Sequence, residues 1–219
     1  MIRTLVLIAA AALLAACAAP LPPVTWLRLP VLPVSMAATA TTASPMAASP
    51  MAATPMSASP SAAPPPHPIV WQLMSPVGMP GHLDHDALLL PREGGGVLQA
   101  QPALRWAEPL RDVVPRLLRL DLARSLGADV WSGPLPPGVR PTHQLRVELL
   151  ALDVLPGRRG VALHARFSVA DALGRHPPRA GQAVFDVASA DATPAALVDA
   201  HREALARLAA RIAAFAGGA

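Results

Sequence analysis

Of the chain's 27 prolines, 13 lie between Pro20 and Pro68. Proline lacks the N–H that helices and sheets use and fixes its own φ, so no continuous fold runs through that stretch. The 219 residues therefore divide into a proline-crowded N-terminal part and a globular part of about 150 residues, enough for one core. Residues 36–66, MAATATTASPMAASPMAATPMSASPSAAPPP, carry an imperfect Met-Ala-Ala-(Ser/Thr)-Pro repeat at Met46 and Met51, with a variant at Met56. A proline every fifth residue forbids a stable helix, and the small side chains build no core. This segment reads as a disordered, partly polyproline-II insertion that extends the reach of the domain behind it.

Residues 1–16 read as a secretory signal. Arg3 gives the positive start, and the apolar run Leu5 to Ala16 has the length of a signal h-region. Crossing a bilayer takes about twenty such residues. The run ends Leu14-Ala15-Ala16-Cys17, the bacterial lipobox, in which the cysteine is diacylated on sulfur. Cys17 is therefore the expected lipid-attachment residue and first residue of the mature chain. It is also the single cysteine, so no intramolecular disulfide forms. Two or three acyl chains anchor stably where one is marginal. Ala18 is not the aspartate that retains enterobacterial lipoproteins at the inner membrane, which favours the outer membrane, facing the periplasm. Residues 17–24 then form a short lipid-anchored spacer.

The net charge of +4 does not indicate nucleic acid. All 18 basic residues are arginines, they are scattered near acids, and tyrosine is absent, so no basic stripe interleaved with aromatics exists.

Hydrophobic periodicity organises the rest. Residues 25–34 hold a first strand, Thr25-Trp26-Leu27-Arg28-Leu29-Pro30, ahead of the 36–66 insertion, and residues 67–219 form the main domain. In that domain Ile69 to Met74 is a strand. Two further runs, 87–90 and 97–99, flank a hairpin turn at Pro91 to Gly96. A helix is predicted over 107–126, with Pro109 in its first turn, an apolar face of Leu110, Val113, Val114, Leu117, Leu118 and Leu122, and a stop at Gly127. Pro115 inside it should kink or shorten the helix. Strands follow over 144–155, 161–169 and 183–188, joined by short polar turns that favour antiparallel pairing. Thr193-Pro194 caps a last helix carrying Leu197, Val198, Leu205, Leu208, Ile212 and Phe215. The expected fold class is α+β, a two-layer sandwich of mainly antiparallel sheet and two amphipathic helices.

Together the lipobox, TWLRLP, PGHLDHDALLL, LRWAEPL…LLRLDLARSLG and ALVDAHREALARLAARIA resemble the ABC-type transport auxiliary lipoproteins, the PqiC/YmbA-like group. The resemblance spans about 170 residues, all but the signal and the insertion; Arg105 to Leu110 and Leu122 to Gly127 are its most specific pieces. Trp26 stands where the family usually has tyrosine, and His82 where an aromatic is common. The resemblance implies a non-enzymatic, lipid-anchored component without a cofactor. It would work beside an MCE-type periplasmic protein and inner-membrane transporter components in lipid transport, supporting envelope integrity. Two other functions remain open: a binding module in outer-membrane or lipopolysaccharide assembly, and a periplasmic hydrolase.

Several residues merit weighing as chemistry. On a strand, His82, Asp84 and Asp86 of the His82-Leu83-Asp84-His85-Asp86 run share a face and suit a surface zinc site. No H-E-x-x-H or cysteine accompanies them, and a solvated loop edge is the simpler reading. Ser132, His143 and Asp153 supply triad residue types without a G-x-S-x-G elbow. Gly94-Gly95-Gly96 lacks the Gly-Lys-Ser/Thr continuation of a phosphate loop. Trp106 reads as a core or interface anchor at the helix start, and His201 and Arg202 as the solvated face of the last helix. No catalytic or metal-binding residue is assigned.

Overall fold

The computed structural model describes residues 23–31, 69–92 and 96–218. Residues 1–16, Cys17 and the 36–66 insertion lie outside them. The elements, in chain order, are β1 (Thr25–Leu27), β2 (Val70–Leu73), a 3-10 turn (Gly81–Leu83), β3 (Ala87–Pro91), β4 (Leu98–Trp106), α1 (Leu110–Leu126), β5 (Asp129–Ser132), β6 (His143–Val154), β7 (Gly160–Asp171), β8 (Arg179–Ala188) and α2 (Pro194–Gly217). One sheet runs β5-β2-β6-β7-β8 and a smaller one β1-β4-β3. The two helices pack on each other and against the larger sheet, α2 over β7 and β8 and α1 against β5. The fold class is α+β.

Alternation places the core. In β7, Val161, Leu163, Ala165, Phe167 and Val169 are buried while Arg166 is exposed on the opposite side. Leu145, Val147 and Leu149 of β6 continue the same buried face. One hydrophobic cluster joins these residues to Leu27, Leu88, Leu90 and Trp106 from the smaller sheet, to Leu29 just past β1, and to both helices. Gly181 makes room for it: a Cβ there would sit 2.8 Å from the Phe167 ring, which meets Phe215 edge-on at 5.2 Å. The last helix starts as its sequence predicts, with Thr193 accepting from the Ala196 N–H at 3.3 Å.

Four expectations change. The helix predicted from 107 begins at Leu110, because β4 runs through to Trp106 and Pro109 is the cap rather than part of the first turn. Pro115 does not shorten α1, which runs on through it; Val113, Val114, Leu117 and Leu118 are buried on both sides of it and hold the helix across the lost hydrogen bond. Gly127 ends the helix in the left-handed conformation (φ 60°) as predicted. Strand β5 has no counterpart in the sequence reading: Val130 is its one buried residue, too little for a periodic signal. Finally, antiparallel pairing holds for β3–β4, β6–β7 and β7–β8, the ladders closed by short turns. The β1–β4, β2–β5 and β2–β6 ladders are parallel, because longer connections, two of them containing α1, bring those strands together.

Candidate functional site

A buried ion pair and a strand ladder meet where the described N-terminal segment enters the fold. Strand β1 lies parallel to the end of β4, with Leu27 opposite Trp106. The Leu27 carbonyl accepts from the Ala107 N–H at 2.8 Å, and Leu27 and Leu29 are buried. Beyond them, Arg202 of α2 donates Nε to the Pro30 carbonyl at 2.9 Å. The same guanidinium grips Asp121 of α1 through Nη1 and Nη2, each at 2.6 Å. Arg202 and Asp121 are 2% and 3% exposed, so a two-pronged ion pair is sealed between the helices and the incoming chain.

Sequence periodicity assigned His201 and Arg202 to a solvated face, and the structure corrects this. The sheet covers one side of α2 while α1 and β1 cover the other, so its buried surface is far wider than a one-sided amphipathic stripe. Small residues at Ala200, Ala204 and Ala209 permit that close packing. His201 is 2% exposed and meets Trp106 edge-on at 5.2 Å. Its Nδ1–H donates to the Leu197 carbonyl at 2.7 Å, which fixes the tautomer, since a carbonyl only accepts. Trp106, 5% exposed, is a core anchor, though it closes a strand rather than opening a helix.

Burial lowers the His201 pKa to about 4 from 6.5, against smaller opposing effects of the Leu197 carbonyl and the Asp153 charge. The histidine is thus neutral in the fold, whereas the unfolded chain takes up a proton below about pH 6.5. Stability should therefore be complete above pH 6.5 and fall as pH drops toward 4, by up to about 3 kcal/mol. Urea unfolding between pH 7 and pH 4 should show this slope, and His201→Phe should flatten it.

The acidic-histidine run does not form a strand. Gly81–Leu83 is a 3-10 turn and Asp84 follows in a bend, so His82, Asp84 and Asp86 do not share one face. Each reaches a different element: His82 Nε2 lies 2.8 Å from Asp153 Oδ1 on β6, Asp84 binds Arg111 of α1 at 2.6 Å, and Asp86 binds Arg105 of β4. These contacts staple the 81–86 turn to its neighbours, each contributing little on its own at this exposure. Beneath the turn is a recess of about 20 Å³ lined by His82, His85, Trp106, Asp153 and His201, room for about one water molecule.

Ser132, His143 and Asp153 are not brought together. His143 opens β6 and Asp153 lies near its far end, about 30 Å away at ~3.3 Å per residue. His143 instead stacks on Trp71 at 4.4 Å, with Nδ1 2.9 Å from Thr142 Oγ1. Desolvation by burial is the main cause lowering its pKa. Asp153 is occupied by His82. What sequence reasoning missed is the Arg202–Asp121–Pro30 tie; charged residues flanked by apolar ones on both helices were its only trace.

Residues 51–213 match the family described as ABC-type transport auxiliary lipoprotein component. The chain belongs to that family. The match takes in part of the Met-Ala-Pro segment and leaves out β1, whereas the sequence resemblance includes β1 and omits that segment. A crystal structure of an uncharacterised protein resembles this auxiliary lipoprotein with a TM-score of 0.57 at 14% identity, covering 67% of this chain and 90% of that one. A second, a Xanthomonas campestris protein placed in family DUF330, has a TM-score of 0.49 at 14% identity, covering 68% and 83%. No curated protein sequence matches the chain. Among the described residues of the auxiliary lipoprotein, no helix is long and apolar enough to cross a membrane.

Proposed function

We propose that this auxiliary lipoprotein is held to the periplasmic face of the outer membrane by acyl chains on Cys17. There it docks the periplasmic end of an MCE-type, ABC-driven lipid transporter, without catalysing a reaction. Its family supports the transport role, and the lipobox supports the anchor. The observation that carries the physical part is the burial of β1. Only eight residue steps separate Cys17 from Thr25, a span of at most about 28 Å. The sequence reading gave the 36–66 insertion the job of extending reach. That does not fit the position of β1: Leu27, Leu29 and the Arg202 contact tie this strand into the core, so the tether between anchor and domain ends ahead of the insertion. The domain therefore rides close to its anchor, as a fixed receptor for an assembly arriving from the inner membrane.

Cys17→Ser should abolish acylation, release the chain from the outer-membrane fraction and fail to restore envelope integrity to a strain lacking the protein. A native N-terminus that is unmodified and begins elsewhere, shown by mass spectrometry, contradicts the anchor.

A further inference from the structure

Strands β1, β3, β5 and β8 border the two sheets. An open border invites pairing with another chain, and proteins usually blunt it with shortness, proline or lysine. Three of the four are blunted: β1 has 3 residues, β3 ends at Pro91, and β5 has 4 and runs into Gly133-Pro134. Strand β8 has 10 residues, contains no proline and carries charge only at Arg179 and Asp186.

The ladder to β7 fixes which of its groups are free. Ser189 N–H donates to the Arg159 carbonyl at 2.9 Å, extending the register that pairs Ala188 with Gly160. Antiparallel strands alternate, so odd-numbered residues of β8 bond β7. Ala180, Gln182, Val184, Asp186 and Ala188 turn their N–H and C=O groups to the open side. All five are exposed, Val184 at 64%, and no backbone bond to another element occupies them among the described residues.

We propose that β8 pairs antiparallel with β8 of a second copy of this chain, about a two-fold axis at Val184. That register matches the free hydrogen-bonding residues of one strand to those of the other. On the exposed face it sets Val184 against Val184 of the other copy, Gln182 against Asp186, and Ala180 against Ala188. An amide donor thus meets a carboxylate twice, apolar meets apolar, and no like charges oppose each other. This self-complementarity selects a second copy over an unrelated extended peptide. The result is one sheet continuous through both protomers, a closed isologous interface.

Analytical ultracentrifugation of the full chain in mild detergent should show a concentration-dependent dimer. Val184→Asp, which puts two carboxylates face to face beside Asp186, should weaken it about ten-fold or more, with an unchanged thermal midpoint at dilutions where both chains are monomeric. Should that variant fold poorly, a cysteine pair decides instead. The chain carrying Cys17→Ser and Val184→Cys should crosslink to itself on mild oxidation, and the chain carrying Cys17→Ser and Leu173→Cys, exposed but off the border, should not. A monomer at every concentration, or an oligomer indifferent to Val184→Asp and without the Val184→Cys crosslink, overturns the proposal while leaving the transport reading untouched.

Discussion

Arg202→Met should lower the unfolding free energy by about 3–5 kcal/mol, a large fraction of a domain's usual stability. The cost comes less from the lost attraction than from what stays behind. The Asp121 carboxyl would stay buried at 3% exposure without its two short bonds, and the Pro30 carbonyl would lose its donor. Arg124, 3.1 Å from Asp121 Oδ1, holds one carboxylate oxygen but is itself 37% exposed and replaces neither of the two short bonds. The partner change separates these causes. Adding Asp121→Leu to Arg202→Met should recover most of the loss, since an apolar pair of similar volume tolerates this burial. Denaturant unfolding of the two variants measures both. If Arg202→Met alone costs under about 1 kcal/mol, the pair is not the tie that holds β1.

Trp106→Ala should cost about 3–5 kcal/mol, because a buried indole vanishes and its site collapses only in part. Trp106 pairs with Leu27 across the β1–β4 ladder and supports His201 from its edge. Its removal loosens the same junction that Arg202 secures, so the two substitutions should not add when combined. Partner capture by Trp106→Ala should fall in proportion to the folded fraction, since no reactive group is lost. Retained abundance with capture abolished would instead place Trp106 in the interface itself.

The legible parts of the fold were those whose pattern is set by one face. The β7 alternation, the α1 face with its Gly127 stop and the Thr193 cap each follow from a local rule, and each stands in the structure. The illegible parts depend on contacts distant in sequence. Arg202 and Asp121 are 81 positions apart and Arg202 and Pro30 are 172 apart, and a helix covered on both sides looks ordinary when read for one apolar stripe. Residues 82–86 form the loop edge that was the simpler reading, but nothing local showed that the turn after Pro80 sends each side chain to a separate partner. The reach given to the 36–66 insertion failed because the burial of β1 ahead of it is invisible in composition.

Docking by a closely anchored, non-catalytic domain is the central claim, and capture of its partner tests it most directly. The lipidated chain, reconstituted in outer-membrane-like vesicles, should bind the purified MCE-type protein of its own transport system. Arg202→Met should lose that binding only to the extent that it unfolds, and replacing His82, Asp84, His85 and Asp86 together with alanine should leave it intact. A folded, anchored chain with no affinity for that assembly, yet turning over a lipid or peptidoglycan substrate, would contradict the account.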